Sequence, residues 1–410
     1  MNKKSKVAIL VFCCLINLCV GALYAWSVFA TPLETHLNSI LDDSLEAGMI
    51  SMVFTVSMAV GPITMILGGR INDKIGPKWV LLVGGLMFGG GMIITSFATS
   101  FAMVVIGYGI LGGLSGGMVY SCNVSTAIKC FPEKRGLVGG VTTASYGISS
   151  VIISKTAGIM IAEKGISWTF LTLGVIFLLV ICVGSFVVGS GVKKDKICSN
   201  TGTKKLGNDP EKDKDWKQML TSGRFYLMVV ILMCGAVCGM MCISQAAVIA
   251  TNMMGFTVTA AATVVAVLAL FNAGGRVIAG YLSDKIGRPS TLLLSSALSI
   301  AGLVLLYVCG AEDTALFYTG ISLVGIYFGT FMGVFPGFTT DAFGLAHNSV
   351  NYGIMFIGFA AAGFIGPAII GNIYLLFGSY DNAFILAAGF SLFGAALIAL
   401  YKRIFEKDAH

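Results

Sequence analysis

The chain has 410 residues, 56% of them hydrophobic and 11% charged, with a net charge of +7 and a mean hydropathy of +0.90. A water-soluble domain carries about 25% charged residues, so polar side chains here are too few to cover a core in water. This composition excludes a soluble enzyme, a disulfide-stapled secreted domain and a nucleic-acid binder, and it places the chain in a lipid bilayer.

A membrane-spanning helix needs about 20 mostly apolar residues. Twelve such stretches follow one another, at 7–30, 47–69, 79–97, 101–127, 136–161, 168–189, 225–250, 259–282, 290–309, 315–338, 351–374 and 383–401. The first follows Met1–Lys6, whose three lysines resemble the start of a signal peptide. The uncharged run Val7–Leu33 exceeds an h-region of about 7–15 residues and reads as a retained membrane helix. Between the sixth and seventh spans, residues 191–224 hold nine basic and five acidic residues without an apolar period, the pattern of a solvated linker. The expected organisation is an all-α membrane protein: an N-terminal six-helix bundle at 1–190, the linker at 191–224, and a C-terminal six-helix bundle with a short tail at 225–410.

Charge orients the spans. With both termini on one side, that side holds 23 of the 26 Lys and Arg residues, Lys164 stands alone opposite, and Lys155 and Arg276 fall within spans. The positive-inside rule then expects a multi-pass protein of the cytoplasmic membrane with both termini in the cytoplasm. Acids dominate the other side: Glu34, Asp42, Asp43, Glu46, Glu163, Glu312, Asp313 and Asp381. Most cysteines lie inside apolar runs; Cys234, Cys238 and Cys242 share a helix face, read as packing and not as a metal site.

The chain repeats itself. Asp73-Lys74-Ile75-Gly76 recurs as Asp284-Lys285-Ile286-Gly287, 211 residues later, each time after the second span of a six-span block. The glycine permits a tight turn, and the aspartate can accept hydrogen bonds from the amides at a neighbouring helix N-terminus. Set in Gly69–Lys78 and Gly280–Pro289, the two copies resemble the loop signature of the major facilitator superfamily, with Pro77 and Pro289 where that family often has a basic residue. The resemblance implies two pseudo-symmetric six-helix halves and a gating role for Asp73, Lys74 and Gly76 and for Asp284, Lys285 and Gly287. Read without it, the neighbouring bases Lys74, Lys78, Lys285 and Arg288 are topology charges.

No acid lies within a span, which makes Arg276 the conspicuous charge. It precedes Asp284 by eight residues, about 12 Å of helix rise into the membrane, where a cation costs about 2.5–3.5 kcal/mol on insertion scales. With no acidic helix partner, it is expected to take an anion, most simply a carboxylate gripped by the guanidinium. Asn272 lies one turn earlier on the same face, and Gly274, Gly275 and Gly280 are expected to leave room beside it. The competing reading is an arginine that reaches the cytoplasmic rim and binds carbonyls. Lys155 is expected to reach the outer surface, and His36, His347 and His410 fall outside the spans. Tyr24, Tyr120, Tyr146, Tyr327, Asn17, Asn123 and Gln245 are polar groups within spans, each able to serve as a ligand contact or as a helix–helix hydrogen bond. Asn17, Gly21, Tyr24 and Val28 are expected on one face. Glycine rows at 325, 329, 333 and 337, and at 109, 113 and 117, read as close helix packing.

Within the superfamily the chain is most similar to the oxalate/formate antiporter family, which includes lactate and other monocarboxylate carriers. The likeness lies in Asn17…Tyr24-x-Trp26-Ser27-Val28-Phe29 with Pro32-Leu33, and in Tyr120 followed by Lys129–Leu137. It continues in Phe271-Asn272-x2-Gly275-Arg276, Pro336, Asp341-x-Phe343-Gly344 and Asn351-Tyr352-Gly353. It implies that Arg276 contacts a substrate carboxylate, with Asn272, Tyr120 and Tyr327 nearby. Oxalate carriers of that family have a lysine on span 11 where this chain has Phe359, which favours a monocarboxylate such as lactate, pyruvate or formate. The alternatives are a dicarboxylate–monocarboxylate antiporter or a carrier of another small organic anion. The partners expected are the lipid bilayer and a small organic carboxylate, with no nucleic acid and a single copy sufficing. No cofactor and no metal are expected. An intramembrane enzyme lacks His, Asp and Glu in the spans, and a receptor lacks an extramembrane domain. The absence of a titratable acid in the spans leans toward exchange of one carboxylate for another.

Overall fold

The computed structural model describes residues 3–40, 45, 49–194 and 213–405. Most of the linker, from 195 to 212, lies outside the described residues, as do Asp42, Asp43, Glu46 and His410. All regular structure among the described residues is helical, and twelve helices are long and apolar enough to cross a membrane. In lipid no water is present to satisfy a backbone amide, so each span must close its own hydrogen bonds.

In chain order the helices are α1 (Lys3–Val20), a 3-10 turn (Gly21–Ala25), α2 (Trp26–Asn38), α3 (Met49–Ile75), α4 (Pro77–Ser96), α5 (Phe101–Val104), a π segment (Val105–Gly112) and α6 (Gly113–Cys130). They continue as α7 (Arg135–Lys164), α8 (Ile166–Lys194), α9 (Trp216–Leu220), α10 (Gly223–Met254), α11 (Val258–Ile286) and α12 (Arg288–Val308). The last four are α13 (Thr314–Phe343), α14 (Asn348–Met355), α15 (Ile357–Phe377) and α16 (Asp381–Phe405). Gly76 and Gly287, both at φ 88°, end α3 and α11, and Pro77 and Pro289 stand in the first turns of α4 and α12. Proline fits there because the first turn has no use for its missing N–H.

Span 1 differs from the expected single helix. It runs on to Asn38, carrying Glu34 and His36, which were expected beyond it, and it tightens into the 3-10 turn at Gly21–Ala25. A Cβ on Gly21 would lie 2.5 Å from the Tyr146 carbonyl oxygen, so the glycine admits a close approach of α7. Tyr108, from the π segment, donates its hydroxyl to the carbonyls of Ala22 at 3.3 Å and Leu23 at 3.2 Å. A change of winding frees carbonyls from the regular ladder, and one buried hydroxyl serves both. Because 3-10 winding has about 3.0 residues per turn instead of 3.6, the face expected to run from Asn17 through Val28 loses register at this turn.

The chain divides into two compact units. The first comprises Met1–Pro132, Ser145–Trp216 and Ala342–Ile354; the second comprises Glu133–Ala144, Lys217–Asp341 and Met355–His410. The start of α7 therefore groups with the second unit, and the α13–α14 turn with the first. Corresponding contacts recur in both. In the first unit, Cβ atoms on Gly113 and Gly117 of α6 would run into the carbonyls of Ser57 and Gly61 of α3. In the second, Gly325 and Gly329 of α13 meet Leu268 and Asn272 of α11 in the same way. The 211-residue repeat read from the loop tetrapeptides thus extends through the helix packing, and by that offset Met65 is the counterpart of Arg276.

Candidate functional site

Arg276 lies on α11 in the second unit, 4% exposed. Its Nε donates to Asn272 Oδ1 at 3.0 Å and one terminal nitrogen donates to the Thr143 carbonyl at 2.7 Å. The spacing of four residues puts Asn272 and Arg276 on one helix face, while Thr143 comes from the first turns of α7. Close approach is made possible by glycines: a Cβ on Gly140 would strike the Arg276 carbonyl, and one on Gly333 would lie 2.6 Å from it. Among the described residues no carboxylate lies within ion-pair distance of Arg276. Two neutral acceptors orient the guanidinium without cancelling its charge. In the first unit the corresponding backbone contact is Gly353 on the Met65 carbonyl, at 2.8 Å from an added Cβ, so this crossing does not itself call for a cation.

The expected room around Arg276 is narrower than the glycines suggested. Only Gly274 faces open space; a Cβ on Gly275 would lie 2.7 Å from the Ile326 carbonyl, and one on Gly280 would run into the Gly136 carbonyl. Those two glycines serve helix contact. Asn272 holds the arginine with its carbonyl oxygen, so its first role in the geometry is to orient Arg276.

The tyrosines separate into two groups. In the first unit, Tyr24 on the 3-10 turn meets Tyr146 of α7 edge-on at 5.2 Å between ring centroids, and Tyr146 meets Tyr120 of α6 at 5.0 Å. The row continues to Tyr352 of α14, whose hydroxyl lies 3.4 Å from that of Tyr120. Tyr352 was not singled out as a site residue, although the motif Asn351-Tyr352-Gly353 pointed at it. Tyr327 lies in the second unit, buried on α13, edge-on to Phe331 at 4.9 Å, and its hydroxyl has no hydrogen-bond partner among the described residues. Of the remaining polar groups, Asn123 donates to Asn17 Oδ1 at 2.9 Å, a helix–helix bond within the first unit. Lys155 is exposed and Gln245 half-buried.

Each loop aspartate receives a helix N-terminus. Asp73 accepts from the backbone N–H groups of Ser349 at 3.3 Å and Val350 at 3.0 Å, at the start of α14. Asp284 accepts from Gly136 and Leu137 at the start of α7, both at 2.9 Å. These amides have no partner inside their own helices, and the dipole there favours an anion. Lys74 and Lys285 are exposed. The ion partners of the aspartates were not foreseen: Lys129 Nζ stands 2.6 Å from Asp73, and Arg288 stands 2.8 Å from both Asp284 and Asp341. Arg135 also reaches Asp341, at 3.0 Å. Arg288, read as a topology charge, is 8% exposed and its Nε and one terminal nitrogen serve two carboxylates. Its spacing of four residues from Asp284 was the available signal. The described end of the linker joins the α13–α14 turn: Asp213 accepts from the Ala346 N–H at 3.1 Å, and the Lys214 N–H donates to the Phe343 carbonyl at 3.0 Å. Among the described residues no group of three or more His, Cys, Asp or Glu side chains could hold a metal ion.

A two-fold repeated set of six spans, with a capped aspartate after the second span of each block, is the architecture of a secondary transporter. The family model of the Major Facilitator Superfamily matches residues 10–367, and the chain belongs to that superfamily. It is a multi-pass membrane transporter. It is 27% identical over 341 residues to the MFS-type transporter YhjX of Escherichia coli, covering 83% of this chain and 81% of the relative. It is also 26% identical over 384 residues to the oxalate:formate antiporter of Oxalobacter formigenes, covering 94% and 87%. Human monocarboxylate transporter 12 is 23% identical over 421 residues, covering 96% and 80%. Among solved structures, the proton:xylose symporter XylE matches with a TM-score of 0.75 at 14% identity over 99% of this chain and 96% of that one. The transporter FucP in its outward conformation matches with a TM-score of 0.72 at 12% identity, covering 97% and 99%.

Proposed function

We propose that this transporter carries small monocarboxylate anions such as lactate, pyruvate or formate, with Arg276 as the carboxylate anchor. One observation carries the reading: a buried guanidinium held by two neutral acceptors, with no carboxylate near it among the described residues. Because a buried charge is costly unless paired, an anionic cargo lowers the free energy of this site where a neutral one would not. The oxalate:formate antiporter and monocarboxylate transporter 12 are similar over most of the chain, and their names point to the same chemical class. Phe359, packed against Phe356 at 4.5 Å and near Phe328 at 6.2 Å, adds an apolar surface in the same unit and no second charge. That supports a cargo with one carboxylate and a small apolar group.

The carrier is proposed to work by alternating access, with two six-helix bundles at 1–190 and 225–410, in the cytoplasmic membrane as a single copy with both termini inside. The caps on Asp73 and Asp284 are its gating contacts, and Gly76 and Gly287 make the turns that aim those aspartates. With its charge uncompensated, an empty carrier is unfavourable to return, which supports exchange of one anion for another. A second reading, exchange of a dicarboxylate for a monocarboxylate, is favoured by the likeness to the oxalate:formate antiporter.

Uptake of labelled lactate, pyruvate, formate and oxalate into proteoliposomes by wild type and Arg276→Ala tests both. Loss of a charged hydrogen-bond partner is worth about 1.5–3 kcal/mol, so apparent affinity should fall roughly ten- to hundredfold. Equal uptake by the two proteins would remove Arg276 from the site, and preference for oxalate would select the second reading.

A further inference from the structure

Arg276 and Asp284 hold the same helix at two points. Asp284 receives the Gly136 and Leu137 amides at 2.9 Å, and Arg276 donates to the Thr143 carbonyl at 2.7 Å. Leu137 and Thr143 are six residues apart on α7, about 9 Å of rise, and Arg276 and Asp284 eight apart on α11, about 12 Å. Between the two pins the backbones meet directly, at Gly136 against Gly280 and Gly140 against Arg276. The stretch so held lies in Glu133–Ala144, the segment leading into and starting α7 that groups with the second unit, and the division falls just beyond Thr143.

We propose that the Thr143 carbonyl is a resting stand-in for the cargo, displaced when a carboxylate binds, so that loading Arg276 loosens the start of α7 from α11 and weakens the Asp284 cap. The inference rests on the carboxylate reading of Arg276. Nε is committed to Asn272, so the guanidinium edge left for bidentate capture is the one between its terminal nitrogens, and Thr143 holds one of them. A carboxylate offers the guanidinium a full negative charge and two parallel acceptors, where the carbonyl offers one neutral oxygen, so the anion wins that nitrogen. The Thr143 oxygen has a second lone pair for the helix ladder, and its release leaves no orphaned group. Binding shifts a conformational equilibrium only through differential affinity; here the pinned and loaded forms compete for one nitrogen. Asn272, in contact with the guanidinium throughout, is the positioning residue that chooses the edge.

Hydrogen exchange of the full-length protein in lipid nanodiscs, resolved over 135–144, tests this. Arg276→Met places at this position the residue that the first repeat carries at its counterpart, and it should raise exchange at Gly136 and Leu137 about tenfold, the equivalent of one charged hydrogen bond of about 1.4 kcal/mol. Saturating formate or lactate should raise it similarly in wild type and do nothing further in the variant. Arg276→Ala, which leaves no donor toward Thr143, is a second variant should the first misfold, and Asp284→Ala, which leaves no acceptor for the Gly136 and Leu137 amides, marks the uncapped limit. Unchanged exchange over 135–144 in a folded Arg276 variant would overturn the pin. Thermal stabilisation by the anion without a change in exchange would overturn displacement and leave the carboxylate reading standing. No stabilisation by any carboxylate would overturn that reading and displacement with it, while the ligand-free variants still decide the pin.

Discussion

Lys129 and Asp341 stand at equivalent places in the two repeats, 212 residues apart, and carry opposite charges. In the first unit Lys129 pairs with Asp73 at 2.6 Å. In the second the same place is an acid, and Arg288, which replaces Pro77 of the first repeat, stands 2.8 Å from both Asp284 and Asp341. The repeat has kept the capped aspartate and changed the origin of its cation.

That inversion makes Arg288 a keystone of the second unit. Arg288→Ala should lower stability by about 1–3 kcal/mol, since its side chain is 9% exposed and two carboxylates lose their common partner. Adding Asp341→Ala should recover part of the loss by removing one of those carboxylates. Thermal unfolding of the two single variants and the double variant reads the coupling; strictly additive losses would contradict it.

Asn272→Asp should weaken transport. An aspartate one turn from Arg276 is placed to pair with the guanidinium and to compete with the proposed carboxylate cargo, so apparent affinity should fall roughly ten- to hundredfold. Apparent affinity for lactate measured in the variant and the wild type decides it; equal values would argue against Arg276 as the anchor.

Glycines on neighbouring faces should differ sharply. A Cβ at Gly329 would collide with the Asn272 carbonyl, whereas one at Gly274 meets nothing within 4 Å. Gly329→Ala should cost about 1–3 kcal/mol through overpacking and disturb Arg276 through Asn272. Gly274→Ala should leave stability unchanged or slightly raised. Similar melting temperatures for the pair would argue against the packing described.

Tyr108→Phe removes the hydroxyl that serves the carbonyls of Ala22 and Leu23 while keeping the ring against Trp26, 4.6 Å away between centroids. Two buried carbonyls then lose their donor, at about 1–3 kcal/mol. Faster amide exchange in Gly21–Ala25 than in α1 would show that the turn depends on this bond.

The spans were legible in the sequence because lipid removes every alternative to the helix, so that runs of about 20 apolar residues suffice to locate them. The repeat was legible because both copies need the same glycine turn and the same acidic cap. Arg276 stood out for a related reason: in hydrocarbon a single charge has no background against which to hide. The breaks in span 1 and in the α6 span had no comparable signal. Gly21 and Tyr108 lie 87 residues apart, and neither shows by itself that their helices change winding together.

By itself the sequence determined a twelve-span, duplicated transporter, the residue that carries a buried positive charge, and the glycine and aspartate of each repeated loop. Each follows from local hydropathy or from near-identical repetition, which need no knowledge of distant neighbours. Only the tertiary structure decided that Asn272 and Thr143 orient that charge, that Gly275 and Gly280 are contact points, and that Lys129, Arg288 and Asp341 complete the caps. Those roles depend on which helices cross and how closely, and a glycine, an amide or a carbonyl looks the same in sequence whether it faces lipid, a ligand or another backbone.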